Sequence, residues 1–160
     1  MNADKFVQLI GFTETDEALL AAVEAGGGDL TGLTPKRFRD YGNAYVRFPD
    51  HGVELVFVSR AMFEEERDTP RGSGKYALEA VFCFPNGGDD APYLGPAPFT
   101  DVRLSARAEA LAAYGEPFDT EESDGMFESD DWSKAGLQIS CAYNDDQSIA
   151  NICVMPPYKG

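Results

Sequence analysis

Two strand-like segments near the end of the chain, separated by a short polar turn, restrict the fold more than any other feature. Leu137–Tyr143 and Ile149–Met155 are largely apolar, and residues 144–147 between them are Asn, Asp, Asp and Gln. This pattern predicts an antiparallel β-hairpin. Pro156 and Pro157 follow directly and end the predicted sheet, because proline cannot donate a backbone hydrogen bond to a neighbouring strand.

Three earlier segments also predict strands. Residues 44–48 alternate like a half-buried strand. Residues 53–58 are β-branched and apolar enough for a central strand, and the turn-forming residues 49–52 would pair them with 44–48. Residues 76–84 resume the strand pattern and are followed by a Pro-Asn-Gly-Gly turn. The expected result is an antiparallel sheet.

Two helices are predicted, one before each group of strands. Residues 14–25 place apolar side chains at helical spacing, with Thr13 or Thr15 as N-cap and three glycines at 26–28 to end the helix.

The second helix covers residues 104–114, with Ser105 as N-cap, Gly115 just past its end and Pro117 preventing its continuation. Its apolar stripe is predicted to be Leu104, Ala108, Leu111 and Ala112. Side chains this small would let the helix lie close to a sheet.

The segments between these elements are predicted to be irregular. The charged residues 62–74 suit a mobile connection, and residues 89–98 form a linker rich in Pro and Gly. Residues 116–131 carry eight acids in sixteen positions without a Lys or Arg. Self-repulsion disfavours a compact buried element there, except for a short strand near Phe127 or Trp132.

These elements predict the α+β class, with an antiparallel sheet and two helices packed on one face. The length of 160 residues fits a single domain, 1–160. Its halves, 1–88 and 93–157, share an order of one helix followed by strands, although few residues are identical between them. This shared order of elements is consistent with a duplicated unit of one helix followed by strands.

The net charge of the chain restricts the classes of molecule that it is expected to bind. The 28 Asp and Glu against 13 Lys and Arg give a net charge of −15, which repels nucleic acid phosphates and anionic lipids. We therefore expect no nucleic acid or membrane partner, and either a basic protein partner or simple solubility as the reason for the acidity. Without an 18-residue apolar run or a signal-peptide pattern in the sequence, we expect a cytoplasmic protein.

Few residues of the chain could act in catalysis or bind a metal ion. His51 is the only histidine and lies in a predicted turn, where a solvated side chain is the default. The Asp-rich residues 119–131 lack the spacing of a calcium loop, and the cysteines are not closely spaced. We predict no catalytic residue, no metal and no cofactor.

The three cysteines, Cys83, Cys141 and Cys153, lie in apolar segments and are predicted to be buried free thiols. A four-residue loop in the last hairpin would place Cys141 opposite Ala150 and Cys153 opposite Gln138. The two thiols would then point to opposite sides of the sheet and could not form a disulfide.

The last part of the chain resembles a known group of proteins. Residues 92–120 read PYLGPAPFTDVRLSARAEALAAYGEPFDT, and residues 130–157 read DDWSKAGLQISCAYNDDQSIANICVMPP. The succession of P-F, a helix of S-R-A-E type, G-E-P, a tryptophan and a β-hairpin resembles small bacterial immunity proteins of polymorphic toxin systems. The resemblance implies a non-enzymatic antidote that binds a cognate toxin, with an α/β repeat similar to that of β-lactamase-inhibitor-like proteins.

The expected function is therefore binding of a basic protein, such as a toxin, through acidic loops. Trp132 is either a core anchor or the hot spot of that interface. The predicted partner-binding residues are the acids of two loops and this tryptophan: Glu64, Glu65, Glu66, Asp119, Glu121, Glu122, Asp124, Glu128, Asp130, Asp131 and Trp132.

Two alternatives remain open. A small hydrolase using a pair of carboxylates predicts a deep pocket with a carboxyl of raised pKa, whereas a binding module predicts an open acidic face. A scaffold subunit predicts a homo-oligomer with a large apolar patch.

Overall fold

Seven antiparallel strands form one sheet in the computed structural model, which describes residues 1–160. The strands are β1 (Asn43–Phe48), β2 (Val53–Ser59), β3 (Tyr76–Cys83), β4 (Asp119–Ser123), β5 (Met126–Lys134), β6 (Leu137–Tyr143) and β7 (Ile149–Met155). The helices are α1 (Asp4–Val7), α2 (Glu17–Ala25), α3 (Pro35–Tyr41), α4 (Arg60–Glu66) and α5 (Arg107–Tyr114). The predicted α+β class is confirmed.

The strand order is β1-β2-β3-β7-β6-β5-β4, so two antiparallel meanders meet where β3 pairs with β7. Each meander follows a helix, α2 in the first half and α5 in the second. The second meander has the additional edge strand β4. A duplication of the helix-plus-strands unit stays a prediction.

One face of the sheet carries the main core. Alternate side chains of the central strands, such as Leu55, Val81 and Ile152, are buried there because successive residues of a strand point to opposite faces. Helices α1, α2 and α5 contribute to the same cluster. Their buried side chains are Phe6, Val7, Leu19, Val23, Ala110 and Tyr114.

The opposite face is covered much less. Helix α4 packs Phe63 against Val58 and Ala77 at one end of strands β2 and β3. Farther along, a small apolar cluster centred on Val56, Ala80 and Cys153 has no helix over it. No helix of the chain is long and apolar enough to cross a membrane.

The predicted β6–β7 hairpin is confirmed, but its predicted register is wrong. Cys141 lies opposite Ile152, and Cys153 lies opposite Ser140. The shift of two residues has two sources: the loop between the paired Tyr143 and Ile149 is one residue longer than predicted, and an irregularity between Ala142 and Tyr143 adds the other. The thiols still point to opposite faces, since Cys141 belongs to the main core and Cys153 to the small cluster.

The predicted N-cap residues of helices α2 and α5 are wrong, whereas Gly115 ends α5 as predicted. Asp16 is the N-cap of α2, and the backbone N–H of Thr13 donates to its carboxylate at 2.6 Å. Helix α5 begins only at Arg107, and the Ser105 hydroxyl instead donates to Glu109 at 2.9 Å. The glycine stop of α2 is confirmed, with Gly26 as its C-cap.

The predicted apolar stripe of the second helix is right for Leu104 and for Leu111, which packs against the main core, and wrong for its two alanines. Ala108 and Ala112 are exposed, and the buried side chains of α5 are Ala110 and Tyr114. Leu104 is buried but precedes the helix. Helix α5 instead packs on the core through Ala110, Leu111 and Tyr114, and the Tyr114 ring lies against Trp132.

Two segments predicted to be irregular are regular. Residues 60–66 of the expected loop form α4, whose first turn is capped when the Met62 N–H donates to the Ser59 hydroxyl at 3.2 Å. Residues 119–131 lie mostly in β4 and β5. Strands keep most of these acids in water while the backbones pair, so charge repulsion does not prevent the hairpin.

Candidate functional site

The predicted acidic residues fall into two separate groups. Glu64, Glu65 and Glu66 are exposed on α4, which packs on β2 and β3. The others lie on the hairpin of β4 and β5, called here the acidic hairpin (119–134), at the far edge of the sheet. Five strand steps separate β2 from β4, or about 24 Å at the usual strand spacing, so the structure does not bring the groups together.

The acidic hairpin presents most of its carboxylates to solvent. All five residues of β4 are exposed, as are Asp124 at the turn and Glu128 on β5. None of Asp119, Glu121 and Glu122 forms a salt bridge, because the only ion pair of the hairpin is that of Asp130 with Arg107. These exposed acids are available to a cationic partner.

Asp130 is buried and cannot contact a partner protein, so its predicted role as a partner-binding residue is wrong. The side chain is fully buried and accepts four hydrogen bonds. Arg107 donates from Nε at 2.8 Å and from Nη2 at 3.3 Å, and Thr120 and Tyr143 each donate a hydroxyl at 2.6 Å. Burial alone would raise the pKa of Asp130, but these hydrogen bonds hold it below its ordinary value.

Trp132 is also buried, so it cannot be an exposed anchor residue of an interface. Its side chain is 3% exposed, its ring centroid lies 5.2 Å from that of Tyr114, and its indole N–H donates to the carbonyl of Gly115 at 2.8 Å. The core-anchor reading is confirmed. Together with Asp130 and Arg107, Trp132 attaches α5 to the acidic hairpin.

Asp131 points to the other side of the sheet and is half-buried, where it accepts a hydrogen bond from the Ser140 hydroxyl. It belongs to a row of directly paired residues that crosses all seven strands on the face opposite the main core. The row runs Arg47, Glu54, Phe82, Cys153, Ser140, Asp131 and Asp119. We call this side of the sheet the open face.

The polarity of the side chains on the open face changes along that row. On β5, β6 and β7 it carries small polar side chains such as Ser129, Ser140 and Asn151. On β2 and β3 it carries Val56, Ala80 and Phe82, beside Met155 of β7. One surface therefore joins an apolar area to the acids of the hairpin over about 29 Å, six strand spacings.

A long groove lies over the β1–β3 side of the open face. Two adjoining hollows of about 540 Å³ and 420 Å³ share the side chains of Tyr45, Glu54 and Phe84. We call these connected hollows the aromatic groove. The Arg47–Asp90 ion pair, 2.6 Å, lines one of them. The Arg67–Glu79 pair, 3.3 Å, and the ring of Tyr158 line the other.

Glu54 is the unusual side chain of this groove. It is half-buried, forms no salt bridge and accepts no hydrogen bond from the chain. Arg47 lies directly opposite in the strand pairing but is engaged with Asp90. Burial raises the pKa of Glu54 above its ordinary value, and the charge of Arg47 only partly opposes this.

Sequence reasoning did not identify the open face or the aromatic groove. The alternation of Tyr45 and Arg47 with Val46 and Phe48 was the available signal, since it separates two faces of β1. It could not show which residues of β2, β3 and β7 share the outer face, because that depends on pairings distant in sequence.

The groups expected to be inert are located as follows. His51 lies in the β1–β2 turn. Cys83, Cys141 and Cys153 are free and buried, as predicted, and burial raises the pKa of each thiol. No three His, Cys, Asp or Glu side chains converge in an arrangement that could hold a metal ion.

No protein-family model, curated protein or solved structure matches this chain.

Proposed function

We propose that the chain is a non-enzymatic binding module for a basic protein, acting through the open face and the acidic hairpin. One observation supports this most strongly: an uncovered sheet face ends at an edge strand whose five residues are all exposed and whose acids have no basic partner in the chain. Such a surface combines apolar area with a negative field, which favours encounter with a cationic protein.

A toxin is the partner class that the sequence resemblance supports. A toxin that cleaves nucleic acid would have a basic substrate groove, and the carboxylates of Asp119, Glu121 and Glu122 would occupy it where phosphates bind. The chain would then act as an immunity protein. Co-expression with a toxin encoded by the neighbouring gene tests this part, because an antidote restores growth and an unrelated binder does not.

The decisive experiment uses titration calorimetry to measure binding to a candidate partner, a basic protein identified from a neighbouring gene or by co-purification. Replacing Glu121 and Glu122 by Gln should weaken the complex by about tenfold, since two charges of the contact surface are lost. The matched control replaces Glu17 and Glu24, exposed acids of α2 near the other face, and should change the affinity by less than about twofold.

Salt provides a second readout. The affinity should fall steeply between about 0.05 M and 0.5 M NaCl, because the exposed charges are screened at short distances in high salt. A complex that is insensitive to salt, or equal losses in the α2 and hairpin variants, would contradict an electrostatic contact at the acidic hairpin.

One observation favours a second candidate, a small hydrolase. Glu54 is a carboxyl of raised pKa in the aromatic groove, which Asp89 and Asp90 also line. A pair of carboxylates is the usual machinery of glycoside hydrolysis. Turnover of a chromogenic glycoside that disappears in the Glu54→Gln variant would establish this candidate in place of the binding module.

A further inference from the structure

We infer that the aromatic groove binds an arginine side chain of the basic protein partner, against the rings of Tyr45 and Phe84 and paired with Glu54. This inference rests on the proposed function and names what the β1–β3 side of the open face recognises. It is independent of the acidic hairpin, which lies at the other edge of the sheet.

The shape of the groove suits a planar cation. Tyr45 is 48% exposed, and the rings of Phe82 and Phe84 stack with centroids 6.3 Å apart. Aromatic faces attract cations through their quadrupole, and the flat guanidinium of arginine stacks on them more readily than the ammonium of lysine. The neighbouring Val56 and Ala80 are buried and give the groove an apolar lining beside the rings.

The charge of the groove is complementary to the same ligand. Glu54 is half-buried and forms no salt bridge, and the nearby charge of Arg47 offsets the desolvation of its carboxylate only in part. An incoming guanidinium would supply a bidentate partner at this point. The net charge of −15 adds a long-range attraction for a cationic protein.

The chain itself shows this combination in the second hollow of the same groove. The guanidinium of Arg67 lies 3.4 Å from the ring centroid of Tyr158 and pairs with Glu79 at 3.3 Å. Arg67, Glu79 and Tyr158 all line the second hollow with Tyr45 and Glu54. One aromatic and carboxylate set thus holds an arginine of the chain, and its neighbour offers the same chemistry to an arginine from outside.

The test uses short peptides and amide chemical shifts of the ¹⁵N-labelled chain. The probe is an acetylated Gly-Arg-Gly amide, and the controls carry lysine or the neutral isostere citrulline in place of arginine. We expect the arginine peptide to shift the amides around Tyr45, Val56 and Phe82. Citrulline binding as tightly as arginine, or lysine binding as tightly, would overturn the assignment to arginine.

Two pairs of variants test the residues. Glu54→Gln should weaken the arginine peptide by about fivefold, and Tyr45→Ala by a similar factor. The matched controls are Glu17→Gln, an exposed acid of α2, and Tyr41→Ala, an exposed tyrosine of α3, and each should change the affinity by less than about twofold. Equal effects in variants and controls would show unspecific attraction to a negative surface and refute the inference.

The outcome separates this inference from the proposed function. If the shifts are confined to the acidic hairpin while the basic protein still binds, the groove assignment is wrong and the binding module stands. If the peptide binds in the groove and no basic protein binds, the groove assignment stands without the proposed function.

Discussion

Asp130 shows how neighbours decide what a residue does. It lies among eight acids of a sixteen-residue segment, yet its carboxylate is fully buried and satisfied by Arg107, Thr120 and Tyr143. The guanidinium of Arg107 also lies 3.5 Å from the ring centroid of Phe127. At this position a carboxylate connects α5 to the sheet instead of facing a partner.

Replacing Asp130 by Ala should lower the free energy of unfolding by about 3 kcal/mol. Removing one member of a buried ion pair leaves the other charge and its hydrogen-bond donors without partners. Urea denaturation measures the change. Asp145→Ala, at an exposed acid of the β6–β7 turn, is the control and should cost less than about 0.5 kcal/mol.

The same carboxylate gives a pH dependence with a defined sign. Because the pKa of Asp130 in the folded chain lies below its ordinary value of 3.8, its ionised form stabilises the fold above that value. This contribution is lost as the pH falls through the lower folded pKa. The difference in stability between the wild-type chain and Asp130→Asn should therefore be full at neutral pH and shrink below pH 3.8. A difference that stays constant down to strongly acidic pH would contradict the pairing with Arg107.

The thiols should be unreactive in the folded chain. Burial raises the pKa of Cys141 and of Cys153 to about 12, and the pKa of Cys83 is also raised by burial. The thiolate is the reactive form, so an aromatic disulfide reagent should label none of the three before unfolding and all three in concentrated guanidinium chloride. Rapid labelling of the native chain would show that one of these strands opens readily.

At the scale of elements, the sequence predicted those whose signals are local. The β6–β7 hairpin was found because its two strands and its turn are adjacent, and β1 and β2 were found for the same reason. Helix α4 was missed because seven residues with three consecutive glutamates look like a solvated loop. Of the acidic hairpin, only a short strand near Phe127 or Trp132 was expected, and β5 confirms it. Strand β4 was missed because its charges were taken to oppose pairing, whereas its side chains lie in water.

The candidate site was predictable only in part. The exposed acids Asp119, Glu121 and Glu122 follow from composition, but their separation from Glu64 depends on strand order. The aromatic groove depends on the pairing of β1, β2, β3 and β7 and on an irregularity between Val56 and Phe57 that shifts the register with β3. Local patterns carry no information about either.

The β1–β2 turn offers a test of backbone geometry. Gly52 has φ +65°, and a Cβ added there would lie 2.5 Å from the carbonyl oxygen of Ala91. Gly52→Ala should therefore lower the free energy of unfolding by about 1–2 kcal/mol because of the left-handed conformation. The steric overlap should lower it by about 1–3 kcal/mol more. Gly125, in the β4–β5 turn, has φ +78° and nothing within 4 Å of such a Cβ. In urea denaturation, Gly125→Ala should lower the free energy of unfolding only by the amount due to the left-handed conformation. Equal decreases in the two variants would contradict the close approach of residue 91 to Gly52.

At the scale of the whole molecule, the charge acts on the fold as well as on partners. A net charge of −15 on one small domain is self-repelling, and salt screens that repulsion. Moderate NaCl should therefore raise the midpoint of thermal unfolding by a few degrees, and the Glu121→Gln, Glu122→Gln double variant should gain less from the same salt. A midpoint that falls with salt would mean that the five ion pairs outweigh the repulsion.

The pairing of β3 with β7 also has a consequence for synthesis. Val81, Phe82 and Cys83 pair with residues 152–154, so one edge of the first meander stays without its neighbour until about seventy further residues have left the ribosome. The two halves become one sheet only when β7 emerges. A premature stop codon even ten codons before residue 155 would therefore remove the strand that joins both halves and leave two separate edges for proteolysis or aggregation.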